Sequence, residues 1–407
     1  MNIFSLSYKN VIARPLNSFL SFLLLGFGVS IVVLILLISS QLKSEISKNS
    51  KGIDLVVAAK GSPLQIILAN IFHIDFPTGN ISLKEASEIS HNRYIQSAIP
   101  LSLGDSYNGF RIVGTTKAYG ELYDMKVSEG AWFADHMEAI IGAEVARKLD
   151  LNIGDRITSQ HGLSSDGDGH DDNPFVVTGI FESNSSVVDR LILVDLPSVW
   201  HVHGHEDHEN DSLVSIAHLG IEVTREQLEQ EEITSLLIKY RSPMGAVTLP
   251  RQINSNSNFQ AASPAFETAR LFNIMGVGGK AVNILGILII IISAISVFIA
   301  LLNSLKDRKY DIAIMRSMGA SRAKVFLLII SEGMVISLAS ALVGLMIAHT
   351  LLFVIGWSID GVDFSAWYLM SEEFLVLVGC LLVGLMASII PAIFAYKTDI
   401  SETLSKG

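Results

Sequence analysis

Lys306-Asp307-Arg308-Lys309-Tyr310-Asp311-Ile312-Ala313-Ile314-Met315-Arg316-Ser317-Met318-Gly319-Ala320-Ser321-Arg322-Ala323-Lys324 is the stretch on which the fold turns. It holds six Lys or Arg against two Asp, and its apolar residues Ile312, Met315 and Met318 recur at helical spacing. Gly319 closes that pattern, and Ser321 can cap a following helix. Apolar runs of membrane length flank it on both sides. The segment is expected to be a short amphipathic helix on the cytoplasmic face of a membrane protein.

Outward from it lie the hydrophobic runs 19–40, 281–305, 325–357 and 374–397, each meeting the ~20 residues that a helix needs to cross a hydrocarbon core. Lys9 and Arg14 precede the first run, the basic loop separates the second from the third, and Lys397 follows the fourth. The loop 358–373 has four acids and neither Lys nor Arg. This asymmetry predicts that both termini are cytoplasmic and that the segment from Lys43 to Lys280 is one large outer insertion. The first run exceeds the ~7–15 residues of a signal-peptide core, and Ser39-Ser40-Gln41 is a poor cleavage site, so it is expected to be an uncleaved anchor.

The formal charge of −11 is unevenly spread, because residues 43–280 carry 19 Lys or Arg and 31 Asp or Glu. An acidic outer domain argues against nucleic acid and anionic polymers as its partners, because like charge repels. The single cysteine, Cys380, lies in the fourth run, so the insertion has no disulfide and depends on an ordinary core.

Inside the insertion, helix and strand signals alternate. Ser82-Leu83-Lys84-Glu85 and Thr224-Arg225-Glu226-Gln227 read as capping boxes. Leu236-Leu237-Ile238, Ile112-Val113 and Phe175-Val176-Val177 read as strands. The fold class is therefore an α-helical membrane protein with four transmembrane helices and an α+β extracytoplasmic domain between the first and second. Residues 254–263, rich in Asn, Ser and Ala, read as a linker. Pro264 then opens a helix running into the second span, weakened at Gly276, Gly278 and Gly279.

Within the spans, Glu332 is expected to make a structural hydrogen bond, with proton coupling as the alternative. His349 reads as a polar contact between helices. Gly333, Ser337 and Ala341, and Gly384 with Ser388, follow four-residue spacing that permits close helix approach; ordinary small-residue content is the alternative.

Histidine sets the insertion apart. Seven of the eleven lie between His161 and His218, and His201-Val202-His203-Gly204-His205-Glu206-Asp207-His208-Glu209-Asn210-Asp211 joins four imidazoles to four carboxylates. With His161 and His170 in a second Asp-rich stretch, this is a ligand set suited to Zn²⁺. The competing reading is a pair of solvated polar loops whose histidines titrate near neutral pH. No His-Glu-x-x-His is present to suggest a catalytic zinc.

Several motifs together resemble the FtsX/MacB/LolC-type permease superfamily, the membrane subunits of type VII ATP-binding-cassette systems. Tyr8-Lys9-Asn10-Val11-Ile12-Ala13-Arg14-Pro15-Leu16 is similar to its N-terminal amphipathic helix. Asp311-Ile312-Ala313-Ile314-Met315-Arg316-Ser317-Met318-Gly319-Ala320-Ser321 resembles its cytoplasmic signature. Glu332, Pro391-Ala392 and Ile400-Ser401-Glu402-Thr403-Leu404 fall where the family has a Glu, a Pro-Ala and a closing tail. Ile141-Gly142-Ala143-Glu144-Val145-Ala146-Arg147-Lys148-Leu149 and Ile153-Gly154-Asp155 resemble a helix-turn of its periplasmic core.

The resemblance implies an amphipathic helix (1–18), a first span (19–42), a MacB-like domain with His-rich loops (43–263) and a stalk with the second span (264–305). A coupling helix (306–324), a third span (325–357), a short outer loop (358–373), a fourth span (374–397) and a cytoplasmic tail (398–407) follow. It implies residence in a bacterial cytoplasmic membrane and a partner ATPase that holds the ATP and docks on Asp311, Ile312, Ile314, Met315, Arg316, Met318 and Gly319. It also implies a second permease chain and leaves room for a periplasmic or lipoprotein partner. Such a subunit is not an enzyme: it transmits ATP-driven motion to an outer domain that moves cargo. The alternatives are a non-transporting FtsX-like regulator and a zinc-handling subunit. Gly276-Val277-Gly278-Gly279-Lys280-Ala281 lacks the first Gly and the hydroxyl of a phosphate-binding loop, so the nucleotide site is expected on the partner.

Overall fold

The structure, a computed structural model, describes residues 15–161, 173–202, 213–358 and 365–397. Two compact units result, one of Met1–Lys43 with Met275–Gly407 and one of Ser44–Ile274. The N-terminal motif 1–14 and the tail 398–407 lie outside the described residues.

The first unit is built on α1 (Pro15–Asn49), α2 (Pro264–Asp307), α3 (Lys309–Ser317), α4 (Arg322–Ser358) and α5 (Ser371–Lys397). Phe22–Asn49, Lys280–Asp307, Arg322–Ser358 and Ser371–Lys397 are long and apolar enough to cross a membrane. These helices are apolar nearly all round, so Ile284, Leu288, Ile291 and Ile295 of α2 stay exposed on a face suited to hydrocarbon. Val29, Val33 and Leu37 of α1 are fully buried against Ala341, Ala348 and Leu352 of α4 and Cys380 of α5.

Small residues decide how near the helices come. A Cβ on Gly333 would lie 2.8 Å from the Ser388 side chain and 3.0 Å from the Gly384 carbonyl, and one on Gly384 would strike Ser337. The two rows expected to permit close approach are the contact between α4 and α5. Ala341 lies in the cluster that α4 shares with both α1 and α5, and nearby a Cβ on Gly344 would lie 2.6 Å from the Gly26 carbonyl. Helix α2 runs unbroken through Gly276, Gly278 and Gly279, because each glycine weakens a helix by only ~1 kcal/mol. The phosphate-loop lookalike is therefore helical.

The second unit is an α+β domain around an eleven-stranded mixed sheet. From one edge, its strands run Phe259–Ala262, Leu55–Ala59, Ser235–Tyr240, Ile95–Tyr107, Phe110–Thr115, Leu191–Asp195, Glu138–Ile141, Phe175–Phe181 and Val127–Gly130. Arg156–Ile157 and Gln160–His161 pair beside this path. Strand Leu55–Ala59 is apolar throughout because both its faces are covered: Val56 and Ala58 pack into one core cluster, Leu55 and Val57 into another. The strands expected around Ile112, Phe175 and Leu236 are all present.

Two local expectations are corrected. Thr224 does form a capping box, accepting from the Gln227 N–H at 3.1 Å while its own N–H donates to Gln227 Oε1 at 2.9 Å. Ser82 does not cap with its side chain. It sits in a short strand paired with Glu232–Ile233, and the Leu83 N–H donates to the Glu231 carbonyl instead. Residues 254–263 are not a linker either. They finish helix Pro243–Asn256 and form edge strand Phe259–Ala262, whose Ala261 and Ala262 are small enough to be buried beside Val56 and Val57.

Candidate coupling site

Helix α3 is bounded by two breaks that its sequence specifies. At Arg308 the backbone leaves the α2 path (φ −108°, ψ 10°). At the other end Gly319 takes φ +97°, its N–H donates to the Arg316 carbonyl, and the Ala320 N–H donates to the Met315 carbonyl at 3.0 Å. This is a Schellman motif, and the left-handed residue is the reason a glycine stands there. The Lys324 N–H then donates to Ser321 Oγ at 3.3 Å, capping α4. The helical part of the basic segment is thus Lys309–Ser317, shorter than 306–324, because α2 reaches Asp307 and α4 starts at Arg322.

The apolar residues of α3 divide into two sets. Ile312 and Ala313 are 2% and 1% exposed, and Ile312 packs with Leu305 of α2, Val325, Ile329 and Ile330 of α4 and Ala392 and Ala395 of α5. Met315 lies half-buried against the same cluster. Ile312 and Met315, expected as knobs for a partner, instead anchor α3 to its own chain, since burying them there removes apolar surface from water. Tyr310, Ile314 and Met318, one helical turn apart, are 50%, 37% and 80% exposed. Asp311 and Gly319 are exposed, and Arg316 is half-buried.

A buried ion pair secures the corner between α2 and α3. Arg308 Nη1 lies 3.0 Å from Oε1 of Glu332, whose side chain is 3% exposed. An intramembrane carboxylate is costly unless paired, and Arg308 supplies the partner expected of Glu332. At the other end of α4, the His349 ring nitrogens lie 2.7 Å from the Ala366 carbonyl and 3.2 Å from Glu373 of α5, a polar contact between helices as the sequence suggested. Glu373 also accepts from the Met370 N–H at 3.1 Å, and Gln41 of α1 exchanges two bonds with the Ser365 backbone.

Of the zinc candidates, His161 ends a strand paired at Asp105, and His201 lies in the last turn of helix Leu196–Val202. His170, His203, His205 and His208 lie outside the described residues. Among the described residues no group of three or more His, Cys, Asp or Glu could hold a metal ion.

Sequence reasoning passed over a buried polar knot in the outer unit. His73 Nε2 lies 2.9 Å from the Tyr119 hydroxyl, and burial, with the nearby Arg111 charge second, pushes the imidazole down to about 3. Arg111, itself 3% exposed, donates to the His73 carbonyl at 3.1 Å and the Asp75 carbonyl at 2.6 Å. These residues come from separate segments, so no local spacing announces them.

A four-span membrane subunit carrying an α+β domain between its first two spans is the class that this fold and site define. Residues 18–243 match the MacB-like periplasmic core domain and residues 283–400 the FtsX-like permease C-terminal domain. The chain belongs to the FtsX/MacB/LolC-type permease family, the membrane subunits of ABC-type transport systems. It is 23% identical over 346 residues to the lipoprotein-releasing system transmembrane protein LolC of Buchnera aphidicola subsp. Schizaphis graminum, covering 82% of this chain and 78% of that one. It is also similar to the periplasmic region of MacB from Actinobacillus actinomycetemcomitans (15% identity, 56% of this chain, 98% of that chain, TM-score 0.34). A further solved structure is the extracellular domain of the ABC-type transporter YknZ from Gram-positive bacteria (12% identity, 52% and 99%, TM-score 0.32). Permeases of this family generally work with an ABC ATPase partner.

Proposed function

We propose that this chain is the non-catalytic, mechanical subunit of an ATP-driven complex, in which a separate ATPase docks on α3 and its cycle is passed through α1 and α2 to the outer domain. One observation carries this reading: α3 is fastened by Ile312 and the Arg308–Glu332 pair, yet holds Tyr310, Ile314 and Met318 outward. A basic helix with an unpartnered apolar row can fill a groove on a soluble subunit, and its fixed base lets a push there move the spans. Both termini are cytoplasmic in this reading, and a second permease chain completes the complex. The relative's lipoprotein-releasing role makes a lipid-anchored protein the first cargo class to assay.

The test exchanges Ile314 and Met318 for Asp in the full chain co-expressed with its ATPase. Insertion stays normal, because both side chains are exposed, and ATPase recovered with the chain falls at least tenfold. Recovery equal to wild type would place the docking surface elsewhere.

A further inference from the structure

Helix α1 does not end in solvent. Its last residue, Asn49, is 7% exposed and is gripped by two other segments of the outer unit. The Val187 N–H donates to Asn49 Oδ1 at 2.8 Å, and the buried Tyr123 hydroxyl donates to the Asn49 carbonyl at 2.9 Å. The preceding Lys48 donates through Nζ to the Asn184 and Ser185 carbonyls at 2.5 and 2.8 Å.

The loop that receives the helix is held by hydrogen bonds of its own. Asp189, 5% exposed, accepts from Ser183 Oγ at 2.7 Å, from the Asn184 N–H at 3.2 Å and from the Ser185 N–H at 2.9 Å. Ser185 is held in a left-handed conformation at φ +56°. Asn184 Nδ2 donates to the Tyr123 carbonyl at 2.8 Å, which ties the loop to the residue that holds Asn49. A helix terminus needs only water to satisfy its last carbonyls. A socket of directional bonds, one of them fully buried, does more, because such bonds fix an angle and a register where apolar contact alone would slide.

We infer that this socket, Asn49 with Tyr123 and Val187 on the loop ordered by Asp189, is the joint through which displacement of α1 enters the outer domain. The inference rests on the mechanical reading of the complex. The path beyond the joint is short: strand Leu55–Ala59 follows α1 after five residues, and its neighbour Phe259–Ala262 leads directly into α2. In this proposal Asn49 and Tyr123 are positioning residues, which act through the contact of α1 with the loop.

The experiment uses the full chain with its ATPase in lipid nanodiscs, spin-labelled at Lys60→Cys and Ser371→Cys, both exposed positions. Distances are measured without nucleotide and with ATP trapped, and ATP turnover is read on the same samples; buried Cys380 stays unlabelled. The wild-type distance shifts with ATP. Tyr123→Phe, which removes only the hydroxyl, and Asn49→Ala cut that shift by half or more while turnover persists, and Asn49→Asp, which keeps an acceptor for the Val187 N–H, restores it. A second label pair within the outer unit, at Lys60→Cys and Glu226→Cys, keeps its distance in every variant, which separates a loosened joint from a misfolded domain. A wild-type shift that both variants reproduce in full overturns the joint. A wild-type complex that turns over ATP with no shift overturns the mechanical reading, and the joint with it.

Discussion

Glu332 and His73 show how differently a buried polar residue can be held. Glu332 is held against a partner of opposite charge, so removing Arg308 takes away the cation that its buried carboxylate faces. Arg308→Ala should destabilise the chain by about 3–5 kcal/mol, while Arg308→Met combined with Glu332→Leu should recover most of that loss. Thermal unfolding of the detergent-solubilised chain measures both. His73 is kept neutral by burial in the folded chain, with a pKa lowered from 6.5 to about 3. Between those values the unfolded chain binds the proton and the folded chain does not, so stability is fully present above pH 6.5 and is lost as pH falls toward 3. The slope from this residue approaches about 1.4 kcal/mol per pH unit within that window. Urea titrations at pH 7 and pH 5 should show a smaller difference for His73→Phe than for wild type.

At the scale of elements, α3 is both packed and presented. Ile312→Ala should cost about 2–5 kcal/mol of stability by opening a cavity among α2, α4 and α5. Met318→Ala should leave stability unchanged and weaken ATPase retention. Comparing melting with co-purification separates the anchoring face from the docking face. The sequence displayed α3 clearly: its charges, the Gly319 stop and the Ser321 cap were all local signals. Which apolar residues faced inward was not, because Ile312, Ile314, Met315 and Met318 suit either face until α4 and α5 are in place. The same holds for Ser82, whose box pattern was present but whose backbone was claimed by Glu232–Ile233.

For the whole molecule, the arrangement of spans predicts sidedness. Cysteines placed at Met318 and at Lys60 should react with a membrane-impermeant maleimide from opposite sides of sealed vesicles, Met318→Cys only from the cytoplasmic side. Labelling of both from one side would overturn the topology. The outer unit carries the acidity and no disulfide, so its stability comes from the cores on the two faces of one sheet.

Hydrophobic length and the placement of Lys and Arg determined by themselves the number of spans, the position of the insertion and the existence of the short basic helix. Those properties depend on transfer between water and hydrocarbon, which a linear run of residues already specifies. Tertiary structure alone decided that Arg308 meets Glu332, that Ile312 is an anchor, that residues 254–263 supply an edge strand and that Asn49 ends in a socket made by Tyr123 and Val187. Each of these joins side chains or strands remote in sequence, and the energy of such a contact exists only once the chain has brought both halves together.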